Sequence, residues 1–167
     1  FTVCFLLWIL PTITLIFLTG FLDRYSWIRS SPQLILALRA AGLLMIATGG
    51  LWAAFQRHLG RIMAFGSITE TGFSLLALSL DSRVGIPILF LLIPARALTL
   101  ALWSLGLSVI RDHTETMRFS AARGALRITP FAGAAIILAS LSTSAFPLLA
   151  GFPPRLALWE NLSSASA

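Results

Sequence analysis

The sequence predicts an all-α fold: a polytopic transmembrane helical bundle of about five spans, the last one discontinuous. Three observations predict it. Of 167 residues, 57% are hydrophobic and 11% charged, with a mean hydropathy of +0.91, whereas a soluble domain carries about 25% charged residues to cover its water-facing surface. Apolar residues fall in blocks at 2–22, 33–55, 62–80 and 86–110, and about 20 in a row carry a helix across the bilayer core. A fifth block, 129–162, is interrupted near 147–154 by Pro147, Gly151, Pro153 and Pro154, which do not fit one regular helix. The blocks show no alternation, and lipid tolerates no open strand edge, so the spans are helical. Residues 1–167 form a single transmembrane domain on this basis. The chain begins at Phe1 rather than a methionine and stops in a bare run of serines and alanines, so it reads as a piece of a longer protein.

Taken in order, the elements have sensible boundaries. The first block is too long for a signal-peptide core and has no positive segment ahead of it. Its lone cysteine, Cys4, reads as a small buried apolar residue, so no disulfide and no metal site are expected. Tyr25 and Trp27 lie at the end of the first hairpin and Trp52 near the end of the second span, as interfacial aromatics do. Ser31-Pro32 and Thr129-Pro130 each set a capping residue before a proline suited to a first helical turn. Asp81 to Gly85 reads as a tight turn, which makes spans three and four adjacent and antiparallel.

The net charge of +6 raises the possibility of nucleic acid, but its distribution excludes that partner. All the basic residues are arginine, and most stand in the links between spans. The first and third links (23–32 and 81–85) hold Arg24, Arg29 and Arg83. The second and fourth (56–61 and 111–128) hold Arg57, Arg61, Arg111, Arg118, Arg123 and Arg127. That bias puts the second and fourth links, and the N-terminus of this piece, in the cytoplasm. A bacterial plasma membrane is the expected location, with the lipid bilayer as the first partner.

Function is sought in polar chemistry inside the spans. An intramembrane charge costs at least about 2.5 kcal/mol at the bilayer centre and usually marks a pathway or a paired partner. Arg39, Glu70 and Arg96 are such residues. Arg39 lies roughly 9 Å along its helix from Gln33, close enough to snorkel outward. Glu70 and Arg96 both lie roughly 15 Å from the turn that joins their helices, so a buried Glu70–Arg96 pair is expected. Ser67, Thr69, Thr71 and Ser74 flank Glu70, and Pro94 frees a carbonyl one turn before Arg96. Two readings follow: a hydrated polar pocket at mid-membrane, or a kink whose hydroxyls bond their own helices. The interrupted fifth block also allows two. Discontinuous spans line cavities and ion sites, or the block is a helix end followed by an ordinary loop. Arg155 and Glu160 follow the break.

Two stretches carry a family resemblance. One runs from Phe55 through Gln56, Arg57, His58, Leu59, Gly60, Arg61, Ile62, Met63, Ala64, Phe65, Gly66, Ser67 and Ile68 to Gly72 and Phe73. The other runs Ser142-Thr-Ser-Ala-Phe-Pro147-Leu-Leu-Ala-Gly151-Phe152. They resemble the proton-conducting, antiporter-like membrane subunits of respiratory complex I and of related cation/proton antiporters. There, a polar link ending in Lys-Arg precedes Leu-Leu-Ala-Tyr-Ser-Ser-Ile and Gly-Tyr, and a second motif reads Ser-Leu-Ala-Gly-Ile-Pro-Pro-Leu-Ala-Gly-Phe. The resemblance implies a non-redox translocase subunit without catalytic chemistry or cofactor of its own. Its partners would be the other membrane subunits of a complex I-like or antiporter assembly. It also implies a row of mid-membrane lysines, from which this chain departs: Gly60 stands at one lysine position and Arg155 at the charged position after Gly-Phe. Arginine does not release its proton in proteins. Glu70, Arg96, Arg39, Arg155 and Glu160 are therefore the candidates for a proton path. The alternative is a structural subunit that keeps the fold without the lysine relay.

Overall fold

The computed structural model describes residues 2–114, 117–120 and 128–164. Arg123 and Arg127, counted in the charge bias, lie outside the described residues. The elements are α1 (Thr2–Arg24), α2 (Ser26–Arg29), α3 (Pro32–Ala54), α4 (Leu59–Leu78), α5 (Ser82–Thr114), α6 (Pro130–Thr143) and α7 (Phe152–Ser164). Three of them, α1, α3 and α5, are long and apolar enough to cross a membrane by length and composition. The α4 helix, with 20 residues, spans about 30 Å and carries Arg61 and Glu70. The chain is thus a polytopic transmembrane bundle whose last apolar stretch is split into α6 and α7.

Several boundaries differ from expectation for local reasons. The first link contains the single-turn helix α2, held by Ile28 and Arg29 N–H bonds to the Tyr25 carbonyl. Ser31 caps α3 by accepting from the Leu34 N–H, with Pro32 in the first turn. The second link is shorter than 56–61, because α4 begins at Leu59. Asp81 does not open a five-residue turn. Its side chain accepts from the Ser82 N–H at 2.8 Å and its carbonyl from Val84 and Gly85, so it starts α5 directly. Pro94 does not break α5, which runs through both Pro87 and Pro94. One lost backbone bond is tolerated where neighbouring helices pack around it. Pro153 and Pro154 are not part of the break either; they occupy the first turn of α7, where a missing N–H is harmless. The break itself is residues 144–151, with Ala145 and Leu148 in the left-handed region at φ 56° and 75°.

Packing is organised around α5, which touches α1, α4, α6 and α7, while α3 lies along α4. The α3–α4 seam is backbone on backbone. A Cβ at Gly42 would stand 2.9 Å from the Gly72 carbonyl oxygen, one at Gly72 2.7 Å from that of Gly42, and one at Gly49 2.9 Å from that of Phe65. Small residues of this kind let membrane helices approach closely. Two apolar clusters fill the bundle. One includes Phe73, Leu76, Leu89, Leu92 and Leu158, the other Leu59, Met63, Leu100, Trp103 and Ile110. Between the clusters α4 buries Ser67 and Glu70 and α5 buries Arg96 and Thr99, and there the charged side chains gather.

Candidate functional site

The site is a polar layer between the two apolar clusters, contributed by α1, α4, α5 and both sides of the α6–α7 break. Glu70, Arg96 and Arg155 are only 7%, 4% and 3% exposed, and they are the buried charged residues among those described. Burial at this level obliges each charge to be paired or hydrogen-bonded.

Glu70 does not pair with Arg96, contrary to the depth argument. Its Oε1 accepts from Nη2 of Arg155, while Nη1 of the same guanidinium donates to the Thr143 carbonyl at the end of α6. Equal depth placed Glu70 and Arg96 at one level without fixing the direction in which each points. Both side chains face the layer but take different partners. The Arg155 guanidinium also lies over the Phe73 ring, 4.4 Å from its centroid, a favourable cation–π arrangement.

Arg96 is held by neutral groups. Its Nη1 donates to Thr71 Oγ1 at 3.0 Å, and its Nη2 reaches Ser67 Oγ at 2.6 Å, the Leu7 carbonyl at 2.9 Å and the Ser67 carbonyl at 3.2 Å. The Leu7 carbonyl is available for a reason visible in the chain. Pro11, four residues on, has no N–H to return to it. The Thr143 carbonyl that Arg155 takes is free for another reason: it is the last of α6, and a helix leaves its final carbonyls without a donor. Each buried arginine therefore satisfies a carbonyl that its own helix leaves open, one through a proline and one through a helix end.

The remaining candidates divide. Ser67 and Thr71 belong to the Arg96 cradle, but Thr69 bonds the Phe65 carbonyl and Ser74 the Glu70 carbonyl on their own helix. The polar pocket is correspondingly small. A cavity of about 10 Å³, bounded by Ser67, Glu70, Arg96, Thr99 and Thr143, has room for about one water. Gly151 lies against the Ser142 carbonyl, where a side chain would not fit. Arg39 is not in this layer. It lines a separate opening with Arg29, Ser79 and Asp81 near the α2 end of the bundle, and its Nε has no partner. Glu160 is exposed on α7, away from Glu70. Sequence reasoning missed Thr99 and Ser142, whose hydroxyls meet at 2.9 Å. Thr99, one helical turn from Arg96, was a usable signal, as was Pro11. Among the described residues no group of His, Cys, Asp and Glu is arranged to hold a metal.

A bundle of apolar helices with a buried carboxylate–guanidinium pair at a broken helix defines an integral membrane protein that holds charge inside its bundle. The sequence profile of one membrane family, "NADH:quinone oxidoreductase/Mrp antiporter, TM", matches residues 1–167. The chain belongs to this family of antiporter-like membrane subunits. It is 30% identical over 128 residues to NADH-quinone oxidoreductase subunit N 2 of Sorangium cellulosum, covering 74% of this chain and 25% of that one. It is 28% identical over 130 residues to NAD(P)H-quinone oxidoreductase chain 4 1 of Synechococcus sp. (strain JA-2-3B'a(2-13)), covering 78% and 25%. Against NADH-ubiquinone oxidoreductase chain 2 of Peropteryx kappleri the identity is 26% over 159 residues, covering 89% and 44%. The chain spans about a quarter of the length of the first two relatives.

Proposed function

We propose that the chain is part of a membrane subunit that conducts protons within a complex I-like or antiporter-like assembly, with Glu70 as the group that gains and loses the proton at mid-membrane. The observation that carries this is the position of Glu70. It is the one buried carboxylate among the described residues, and it borders a water-sized cavity across from Arg96. Arginine keeps its proton, so Arg155 and Arg96 act as fixed positive charges that hold the carboxylate ionised or release it. Protonating Glu70 would remove the charge that holds Arg155, freeing its side chain at the helix break. In this reading Arg39 lines an opening towards one membrane face, and Glu160 takes no part in the buried layer. The location is a bacterial plasma membrane, with the N-terminus and residues 56–58 on the cytoplasmic side. The partners are the other membrane subunits of the assembly.

A specific observation favours a second reading, a structural subunit without conduction. Both arginines are tied to backbone carbonyls, and the cavity beside Glu70 and Arg96 has only about 10 Å³. Proton flux separates the two. The assembly carrying Glu70→Gln in its full-length chain is reconstituted in vesicles, with subunit content as the control. Lost flux with intact assembly supports conduction through Glu70; undiminished flux supports the structural role.

A further inference from the structure

We propose that the cleft between the α3–α4 link and residues 117–120 is a binding site for an anionic phospholipid. It is independent of the Glu70 layer. The cleft has a volume of about 990 Å³, and its lining combines Arg57, His58, Arg61 and Arg118 with the apolar Ala53 and Ile62. An antiparallel backbone bridge pairs His58 with Arg118 and so brings residues 117–119 alongside the α3–α4 link. The Leu59 N–H donates to the Met117 carbonyl at 2.9 Å, and the Phe119 N–H to the Arg57 carbonyl at 3.0 Å. Arg118 is distant from Arg57 and Arg61 in sequence, yet all three line one cleft.

No ion pair among the described residues engages their charge. The ion pairs among the described residues are Arg29–Asp23 and Arg155–Glu70, and none involves Arg57, Arg61 or Arg118. His58 Nδ1 is buried without a partner beside them. Three guanidiniums in fork geometry match the oxygens of a phosphate. The apolar part of the lining fits the rest of the molecule. Ala53 and Ile62 belong to α3 and α4, Phe119 lines the cleft and is 54% exposed, and Trp52 and Phe55, 56% and 74% exposed, stand beside lining residues in the chain. Exposed aromatics of this kind sit at headgroup level. A free phosphate would use the arginines but not the apolar lining. A phosphatidylglycerol uses both, its headgroup on the arginines and its chains along α3 and α4. Basic pockets between membrane helices take anionic headgroups by this chemistry.

The test uses the assembly containing the full-length chain, purified in mild detergent and mixed with a photoactivatable phosphatidylglycerol. Labelled peptides should cover residues 53–62 and 117–120. Unlabelled phosphatidylglycerol should compete, while phosphatidylcholine and inorganic phosphate should not. Replacing Arg57, Arg61 and Arg118 by glutamine should weaken phosphatidylglycerol binding there by roughly 100-fold, and replacing all three by lysine should restore most of it. Equal labelling by a phosphatidylcholine probe overturns the proposal. So does competition by inorganic phosphate, which would indicate a free-anion site, or cross-linking of this cleft to another subunit in place of lipid. The labelling arms use the unaltered protein, so they decide the matter even when the glutamine variant does not assemble.

Discussion

Pro11 and Arg96 converge on a single atom. The Leu7 carbonyl, which Pro11 leaves without a helical donor, accepts from Arg96 Nη2 at 2.9 Å, although the two helices are separated in the chain by most of the bundle. At Thr143 a helix end has the same effect: the last carbonyl of α6 has no helical donor and accepts from Arg155. In a medium without water a proline and an arginine solve each other's problem: one exposes an acceptor and the other needs one.

The first prediction follows from this meeting. Arg96→Met should destabilise the assembled protein by about 2–4 kcal/mol, since it leaves the Leu7 carbonyl and the Ser67 and Thr71 hydroxyls short of a donor. In a Pro11→Ala background the loss should be smaller by about 1 kcal/mol, because residue 11 then supplies the donor itself. A double-mutant cycle in denaturant checks it; zero coupling would separate the proline from the arginine.

The Glu70 carboxylate should couple strongly to Arg155 and weakly to Arg96. Removing one member of a buried pair costs about 3–5 kcal/mol, and removing both costs less. Arg155→Lys should keep the charge pairing but lose about 1–2 kcal/mol, since an ammonium cannot span Glu70 and the Thr143 carbonyl as a planar fork does. Parallel cycles on Glu70 with each arginine give the comparison, and a larger coupling to Arg96 would contradict the observed pairing.

Glycines in α3 and α4 should differ sharply. Gly72→Ala places a methyl against the Gly42 carbonyl and Ile46 and should cost about 1–3 kcal/mol. Gly50→Ala meets nothing within 4 Å and should be neutral or stabilising by up to about 1 kcal/mol, because alanine favours the helix. Thermal unfolding in detergent distinguishes them.

Sidedness is read by an impermeant thiol reagent in a background without Cys4. Cysteines introduced at Ser30 and Ser82 should react from outside, and cysteines at Arg57 and Arg111 should be protected. The reverse pattern would invert the proposed orientation.

Much of the fold was legible because hydrophobic length and proline position act locally. The apolar blocks 2–22 and 33–55 lie on α1 (Thr2–Arg24) and α3 (Pro32–Ala54), and Ser31-Pro32 marked the start of α3 as its cap shows. The site was legible in its members but not in its pairing. Glu70, Arg96 and Arg155 each announced themselves as charges among apolar residues. Depth along a helix, however, says nothing of azimuth, and Arg155 follows a break whose course depends on left-handed residues at Ala145 and Leu148 that no proline or glycine signals. The backbone partners were hidden differently. A carbonyl has no letter in the sequence, and only the proline four residues later points to it.

The glycine seam between α3 and α4 has a mechanical consequence. Where backbone lies on backbone, no rotamers are available to repack, so the two helices cannot slide by small steps and must displace as one rigid body. Closely packed interiors transmit strain rather than absorb it. A push on α3 from the bilayer therefore arrives undiminished at α4, and so at Glu70. From there it passes through the Glu70–Arg155 ion pair to the split span, so the seam and the break are joined by one buried contact.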